Sequence, residues 1–190
     1  MSKKTIGFAL CGSFCTFTEV LPVLEDLIGR KYNVIPIMSE FAYTTDTRFG
    51  KANYFVERLE GITGNKLLHS IAETEPIGPE AMLDLLVIAP CTGNTLGKMA
   101  TGITDSSVTM AAKAHLRNER PVLIAASTND ALANSGKNIG SLLNYKHIYF
   151  VPMRQDSPGG KPRSIVAKFE LIPAAVELAL RGEQMQPIYV

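Results

Sequence analysis

The sequence carries no large excess of charge of either sign, and this limits the partners it can bind. Its 19 Lys and Arg residues nearly balance its 18 Asp and Glu residues, which leaves a net charge of +1. Nucleic acids and anionic membranes are bound mainly through clustered positive charge, so the composition favours neither. No apolar run reaches membrane-spanning length, since Gly7 and Gly12 interrupt the one near the N-terminus. We therefore expect a soluble cytoplasmic protein that binds neither partner.

Cysteine is also scarce, which argues against disulfides and metal sites. Cys11, Cys15 and Cys91 are odd in number, and none has a second Cys or a His at zinc-ligand spacing. Cys11 and Cys15 are four residues apart and would share one face of a helix that began at Gly12. Because no base or cation stands beside them, packing is the better interpretation than a redox pair. We expect reduced thiols and no metal.

Short apolar runs alternate along the chain with segments of helical spacing. Near-continuous apolarity is typical of parallel strands that are covered on both faces. With 46% hydrophobic residues, 190 residues can bury one substantial core, so one domain over residues 1–190 is expected. The predicted fold is an α/β doubly wound, mainly parallel sheet of flavodoxin or Rossmann type, with residues 41–83 unassigned. Strands are predicted at 5–10, 33–39, 84–90, 121–127 and 147–153, and helices at 14–29 and 165–181, the last interrupted by Pro173.

Ligands of such sheets bind beyond the carboxyl ends of the strands. After the first strand, Gly12 permits a close backbone approach, and Ser13 can cap the next helix, where free amides favour a phosphate. An ordinary capped turn remains an alternative. The second strand ends at Ser39, where an NAD site would have an acidic residue, although the adjacent Glu40 keeps NAD open. A mononucleotide fits better.

The third predicted strand ends in a polar corner whose pattern carries a resemblance. "APCTGNTLGKMATGITDSSVT", residues 89–109, resembles the Pro-x-Ser-Ala-Asn-Thr motif of the homo-oligomeric flavin-containing cysteine decarboxylase superfamily. In that family the corner holds FMN, and the neutral amide of Asn94 suits a flavin edge without burying a charge. Thr92 or Asn94 can cap a helix as well. The resemblance implies an FMN site formed by Gly12, Ser13, Phe14, Ser39, Pro90, Cys91, Thr92, Gly93, Asn94 and Thr95.

Two departures from the family pattern argue against decarboxylation of a cysteinyl substrate. The family's catalytic His falls at or near Pro76, which cannot act as a base, and His69 is only a reserve candidate. After the fourth strand, Asn129 is retained, but Leu132 and Ala133 replace the Met-Trp pair of the family's substrate clamp. A different substrate is expected, and the catalytic residues stay unassigned.

Nearly the whole chain resembles one branch of this family, the flavoprotein subunits that work in spore-forming bacteria with a dehydrogenase-like A subunit. That resemblance implies oxidation of a dihydropyridine dicarboxylate, or its open precursor, to pyridine-2,6-dicarboxylate. A flavin can accept the hydride equivalent that aromatisation releases. Two alternatives remain: a flavin-dependent lyase or transferase acting on another carboxylate, and a non-catalytic partner of the A subunit.

Residues 154–164 follow the fifth predicted strand, and their Pro and Gly content suggests a mobile lid. Together with Asn129, the cations Arg154, Lys161 and Arg163 are predicted to bind substrate carboxylates, and a solvated surface loop is the alternative. The resemblance also implies trimers or multiples of trimers, with residues 42–50 as the candidate cover of the flavin. The segment 113–120 is expected to be a solvated helix end.

Overall fold

The first four strands of the sheet form because their residues are apolar enough to be largely buried between two layers of helices. The computed structural model describes residues 3–190. Every residue of the third strand is buried. The first four strands pair in parallel in the order β2-β1-β3-β4, with β2 at the edge of the sheet. This confirms the predicted fold. The strands are β1 (Thr5–Leu10), β2 (Asn33–Met38), β3 (Leu85–Cys91), β4 (Val122–Thr128), β5 (Ile148–Phe150), β6 (Met153–Ser157) and β7 (Lys161–Ala167).

Helices cover both faces of this sheet, and the alternation along each strand divides the core in two. Phe8 and Val87 pack in one cluster with α1, α3 and α8, whereas Ala9 and Ile88 pack in a second cluster with α5, α6 and α7. None of the helices within residues 3–190 is long and apolar enough to cross a membrane. The helices are α1 (Phe17–Gly29), α2 (Glu40–Thr44), α3 (Ala52–Thr63), α4 (Ile71–Thr74), α5 (Gly93–Thr101), α6 (Ser107–Leu116), α7 (Asn134–Leu143) and α8 (Ile172–Ala179).

The far edge of β4 is shared by two different strands. β5 runs parallel to its first half, Val122–Ile124, while β7 runs antiparallel to its end at Ser127 and Thr128. β6 and β7 pair with each other, so residues 154–164 form most of an antiparallel hairpin. The segment is therefore a paired hairpin and not the loop that its Pro and Gly content suggested, and its role as a mobile lid stays a prediction. The predicted strand at 147–153 is also divided, because β5 ends at Phe150 and β6 begins at Met153.

The predicted helix at 165–181 is wrong in its first part. Ile165 lies in β7, Phe169 in a short 3-10 turn, and α8 begins only at Ile172. All three side chains are buried, although they belong to three different elements. Their spacing along the sequence resembles that of one helix face, and this is why a single helix was predicted. Pro173 lies in the first turn of α8, where its missing N–H removes no helical hydrogen bond, and it does not interrupt the helix.

The segment 113–120 is also less solvated than its composition suggested. Lys113 and Arg117 are exposed, but His115 on α6 has no exposed surface at all. Within the described residues, neither ring nitrogen of His115 has a hydrogen-bond partner. Burial lowers the pKa of His115 to about 4, so the ring is neutral at neutral pH.

Candidate functional site

The carboxyl ends of β1, β3 and β4 open into one cleft of about 1260 Å³. This is the edge where a doubly wound sheet binds its ligands, and the β6–β7 hairpin forms a further wall. Sequence reasoning placed the site at the same edge. Five segments of the chain supply most of the side chains that line the cleft. They are Gly12 to Thr16 after β1, Thr92 to Asn94 after β3, Ser127 to Asp130 at the end of β4, Asn134, Ser135 and Asn138 on α7, and Arg154, Asp156 and Lys161 on the hairpin.

The turn after β1 brings Gly12, Ser13 and Phe14 to the cleft. A Cβ on Gly12 would lie 3.0 Å from the ring of Phe41, so the glycine allows this aromatic side chain to pack close to the turn. Ser13 does not cap a helix as expected. Its Oγ instead lies 2.9 Å from Ser127 Oγ and ties the end of β1 to the end of β4.

The corner after β3 presents the beginning of α5 to the cleft. Thr92 is the N-cap, and its Oγ1 accepts a hydrogen bond from the backbone N–H of Thr95 at 3.4 Å. Thr92, Gly93 and Asn94 line the cleft, where the positive end of the helix dipole favours an anion. These three residues are brought together as the sequence predicted.

The other residues predicted at this corner lie behind it. Pro90 and Cys91 are buried in β3, and Thr95 is buried on α5, where its hydroxyl donates to Cys11 Sγ at 3.2 Å. The Cys91 thiol lowers the pKa of Cys11 by donating a hydrogen bond, whereas burial raises the pKa of Cys91. Cys15, by contrast, is exposed at the cleft. Cys11 and Cys15 therefore do not share a helical face.

The residues after β2 serve contacts within the fold. Ser39 Oγ caps α2 by accepting from the backbone N–H of Ala42, and Ser39 does not line the cleft. The Glu40 carboxylate accepts from the backbone N–H of Ser107 at 2.9 Å and so caps α6. The side chain that kept an NAD site open is therefore committed to a helix N-terminus.

The end of β4 carries a hydrogen-bonded group of Thr128, Asp130 and Ser135, the Asp130 cluster, which the sequence analysis did not predict. Thr128 Oγ1 and Ser135 Oγ both donate to Asp130 Oδ1, each at 2.6 Å. These donors, Ser135 first, hold the pKa of Asp130 below its usual range, so this carboxyl is ionised at neutral pH. The only sequence signal was a run of polar residues, "STND", at a strand end.

Three cations reach the cleft, and two of them are paired with carboxylates. Lys98 lies 2.8 Å from Asp105, and Lys161 lies 2.7 Å from Asp156, which raises the pKa of Lys161. Within residues 3–190, Arg154 forms no salt bridge and its side chain makes no hydrogen bond. Arg154 is thus the cleft cation available to a ligand.

Of the two remaining residues predicted to bind substrate, one lines the cleft and the other does not. Asn129 is exposed and lines the cleft beside Asp130. Arg163 does not line the cleft, and its backbone carbonyl accepts from Leu132 N at 3.0 Å. Arg163 therefore belongs to the support of the β4–α7 turn.

The reserve candidate base, His69, and Pro76 at the position of the family's catalytic His both lie away from the cleft. Pro76 is in a 3-10 turn after α4. His69 Nδ1 lies 2.7 Å from Glu73 Oε2, next to the capping box of α4, and its ring meets the Tyr43 ring edge to face. The pKa of Glu73 is lowered by the hydrogen bonds that its carboxylate accepts, of which the one from the His69 backbone N–H contributes most. His69 thus stabilises a helix start.

Comparison with known proteins identifies a relative over the full length of the chain. The dipicolinate synthase B subunit of Bacillus subtilis (strain 168) is 46% identical over 190 residues, which cover 100% of this chain and 95% of that protein. The crystal structure of the dipicolinate synthase B subunit from Bacillus halodurans C is also 46% identical, with a TM-score of 0.90, covering 98% of this chain and 96% of the other.

A more distant solved structure shares the fold. Burkholderia xenovorans DmrB in complex with FMN, described as a cubic protein cage for redox transfer, has a TM-score of 0.71 at 18% identity, covering 94% of this chain and 96% of that one. The sequence model of the family described as Flavoprotein matches residues 1–165. The chain therefore belongs to the Flavoprotein family.

Proposed function

We propose that this chain is the FMN-binding subunit of a dipicolinate synthase. In this proposal it forms pyridine-2,6-dicarboxylate from a dihydrodipicolinate-type precursor during sporulation, together with a dehydrogenase-like A subunit, in the cytoplasm. The observation that carries the proposal is the 46% identity to the B subunit of a dipicolinate synthase over all 190 residues. Residues 1–190 would act as one flavoprotein domain.

The cleft has the properties that an FMN site needs. It is large, and it combines apolar surface from Phe14 with the polar start of α5. Gly12 and Gly93 are closely packed, the first against Phe41 and the second against Thr128, Asp130 and Ser135, so the walls are set by neighbouring elements. We assign the cofactor contacts to Gly12, Ser13, Phe14, Thr92, Gly93 and Asn94. Pro90, Cys91 and Thr95 are buried behind the corner and support it, whereas Ser39 is left to cap α2.

Substrate binding is assigned to the hairpin wall. Arg154 carries a guanidinium without a carboxylate partner in the described chain, and this fork matches a carboxylate in bidentate geometry. Lys161, which is paired with Asp156, can place its ammonium charge near a substrate carboxylate, and Asn129 can donate or accept a hydrogen bond through its neutral amide. Bound FMN would supply the two-electron acceptor for aromatisation. The chain would bind and orient the dicarboxylate beside it.

We infer that the activity is that of a flavin-dependent oxidoreductase subunit and not of a cysteinyl decarboxylase. Pro76 offers no titratable group at the position of the family's catalytic His, and it lies outside the cleft. Leu132 and Ala133 replace the Met-Trp pair of the peptide clamp, as the sequence shows. Both features remove machinery that a cysteinyl substrate would need.

The test is to purify the protein, record its absorbance spectrum and identify any released ligand by mass. We expect a yellow protein that retains or takes up FMN, whose flavin spectrum changes when the precursor dicarboxylate is added. A colourless chain that fails to bind added FMN would overturn the proposal.

Two further outcomes separate the alternatives. A yellow protein that responds to other carboxylates but not to dicarboxylates would indicate a lyase or transferase. Synthesis by the A subunit that persists with a flavin-free variant of this chain would indicate a non-catalytic partner.

A further inference from the structure

The two oxygens of the Asp130 carboxylate differ in their hydrogen bonding. Both hydroxyl donors, from Thr128 and Ser135, reach Oδ1, and within the described residues no hydrogen bond ends on Oδ2. Asp130 lines the cleft and is half-buried, so the second oxygen is open to a ligand. One oxygen is thus held by the fold, and the other remains available.

The neighbouring corner is shaped to accommodate this cluster. A Cβ on Gly93 would lie 2.6 Å from Thr128 Oγ1, 2.7 Å from Ser135 Oγ and 2.9 Å from Asp130 Oδ1. Real side chains do not approach so closely, and therefore only glycine fits at the first position of α5 while the cluster is in place. Asp130 consequently lies directly against the corner assigned to the cofactor.

The chemistry of an ionised carboxylate restricts what Oδ2 can bind. The two hydroxyl donors keep Asp130 in its anionic form, which accepts hydrogen bonds and donates none. A ligand group that carries an N–H or a positive charge is attracted to Oδ2. A lone pair facing Oδ2 is repelled, and the repulsion is strong in a partly desolvated cleft. Two ligands that carry the same carboxylates therefore differ at this contact only through the ring nitrogen.

The two ends of the proposed reaction differ in this respect. A reduced ring nitrogen, as an amine or a protonated imine, carries a hydrogen, whereas the nitrogen of pyridine-2,6-dicarboxylate presents only a lone pair at neutral pH. We propose that Asp130 is a specificity-determining residue that accepts a hydrogen bond from the ring N–H of the reduced dicarboxylate and disfavours the aromatic product. This inference rests on the proposed function and adds a means of product release.

The test compares two stable ligands on the FMN-loaded protein by calorimetry. Piperidine-2,6-dicarboxylate carries hydrogens on its ring nitrogen, and pyridine-2,6-dicarboxylate does not. We expect the wild type to bind the piperidine more tightly. Asp130→Asn can still accept from Thr128 and Ser135 but presents an amide N–H to the cleft, so the ratio of the two affinities should shift by tenfold or more toward the pyridine.

A matched control is Glu19→Gln, which removes the charge of another exposed carboxylate that lines the cleft. Its affinity ratio should equal that of the wild type. If Asp130→Asn fails to fold, as judged by thermal unfolding and FMN content, Asp130→Ser also removes the charge and should shift the ratio in the same direction. An unchanged ratio in a folded Asp130 variant would overturn the inference. If the wild type binds FMN but neither dicarboxylate, the proposed substrate class fails, and this inference fails with it.

Discussion

At the scale of single residues, Arg154 and Arg163 form a natural pair for testing substrate binding. Both lie on the hairpin, but only Arg154 lines the cleft. Arg154→Gln should weaken dicarboxylate binding by about 1.5 to 3 kcal/mol, roughly 10- to 150-fold in Kd, because a charge-assisted hydrogen bond is lost. Arg163→Gln should have little effect. Calorimetry measures both, with FMN content as the check on the cofactor site, and equal losses in the two variants would contradict the assignment.

Gly93 provides a second prediction, on stability. Gly93→Ala would push a Cβ into the Asp130 cluster, which we expect to destabilise the fold by about 1 to 3 kcal/mol and to reduce FMN retention. Gly61 on α3 is the control, because a Cβ there would meet nothing within 4 Å. Gly61→Ala should stabilise the protein by about 0.4 to 1 kcal/mol. Urea unfolding compares the two, and a Gly93→Ala variant as stable as the wild type would show that the cluster can move aside.

The residues of the site differ in how visible they are in the sequence. Thr92, Gly93 and Asn94 were predicted because residues 89–109 resemble the family's Pro-x-Ser-Ala-Asn-Thr motif. Their place at the end of an apolar strand puts them at the ligand edge of the sheet. Asp130 could not, because its role depends on Ser135 returning from α7 to the same oxygen. Ser39 was predicted from its position after β2, but the local turn directs its hydroxyl to α2.

At the scale of elements, the hairpin shows why part of the fold escaped prediction. Strands that are buried on both faces can be recognised in the sequence as continuous apolar runs, and β1 to β4 lie close to their predicted bounds. In β6, Arg154, Gln155 and Asp156 are all exposed, so neither continuous nor alternating apolarity marks it as a strand. An edge hairpin gains its structure from pairing with β4, which no local pattern records.

Helix α6 carries a prediction about acid stability. His115 has a pKa of about 4 when folded against a reference value of 6.5, so the unfolded chain binds a proton first as the pH falls. The contribution is fully present above pH 6.5 and declines between about pH 6.5 and 4, by about 3 kcal/mol in all. His115→Leu removes this group and its unpaired nitrogens, and should flatten the pH profile. Urea unfolding from pH 7 to pH 4 measures it. Parallel profiles for the two proteins would rule out His115 as the cause.

At the scale of the whole molecule, exposed aromatic side chains support the proposed assembly. Phe41 is 62% exposed and Phe49 is 44% exposed, and Phe49 lines the cleft within the segment proposed as the cover. A second copy packed there would bury apolar surface and shield a bound flavin from water. Light scattering should show trimers or multiples of trimers. Phe49→Asp should reduce the assembled fraction, and Tyr189→Asp, an exposed aromatic control, should not. A monomer of 20.6 kDa with FMN bound would refute this arrangement.

The shared edge of β4 also has a consequence for how fast a ligand can bind. Arg154 stands on a strand joined through β7 to the end of β4, so the wall that holds it is sheet and needs little backbone ordering when a dicarboxylate arrives. Stopped-flow mixing should therefore give a single exponential phase. Its observed rate constant should rise linearly with ligand concentration, with an association rate constant of roughly 10⁵ to 10⁷ M⁻¹s⁻¹. A rate that saturates with concentration would instead reveal a slow rearrangement of the hairpin.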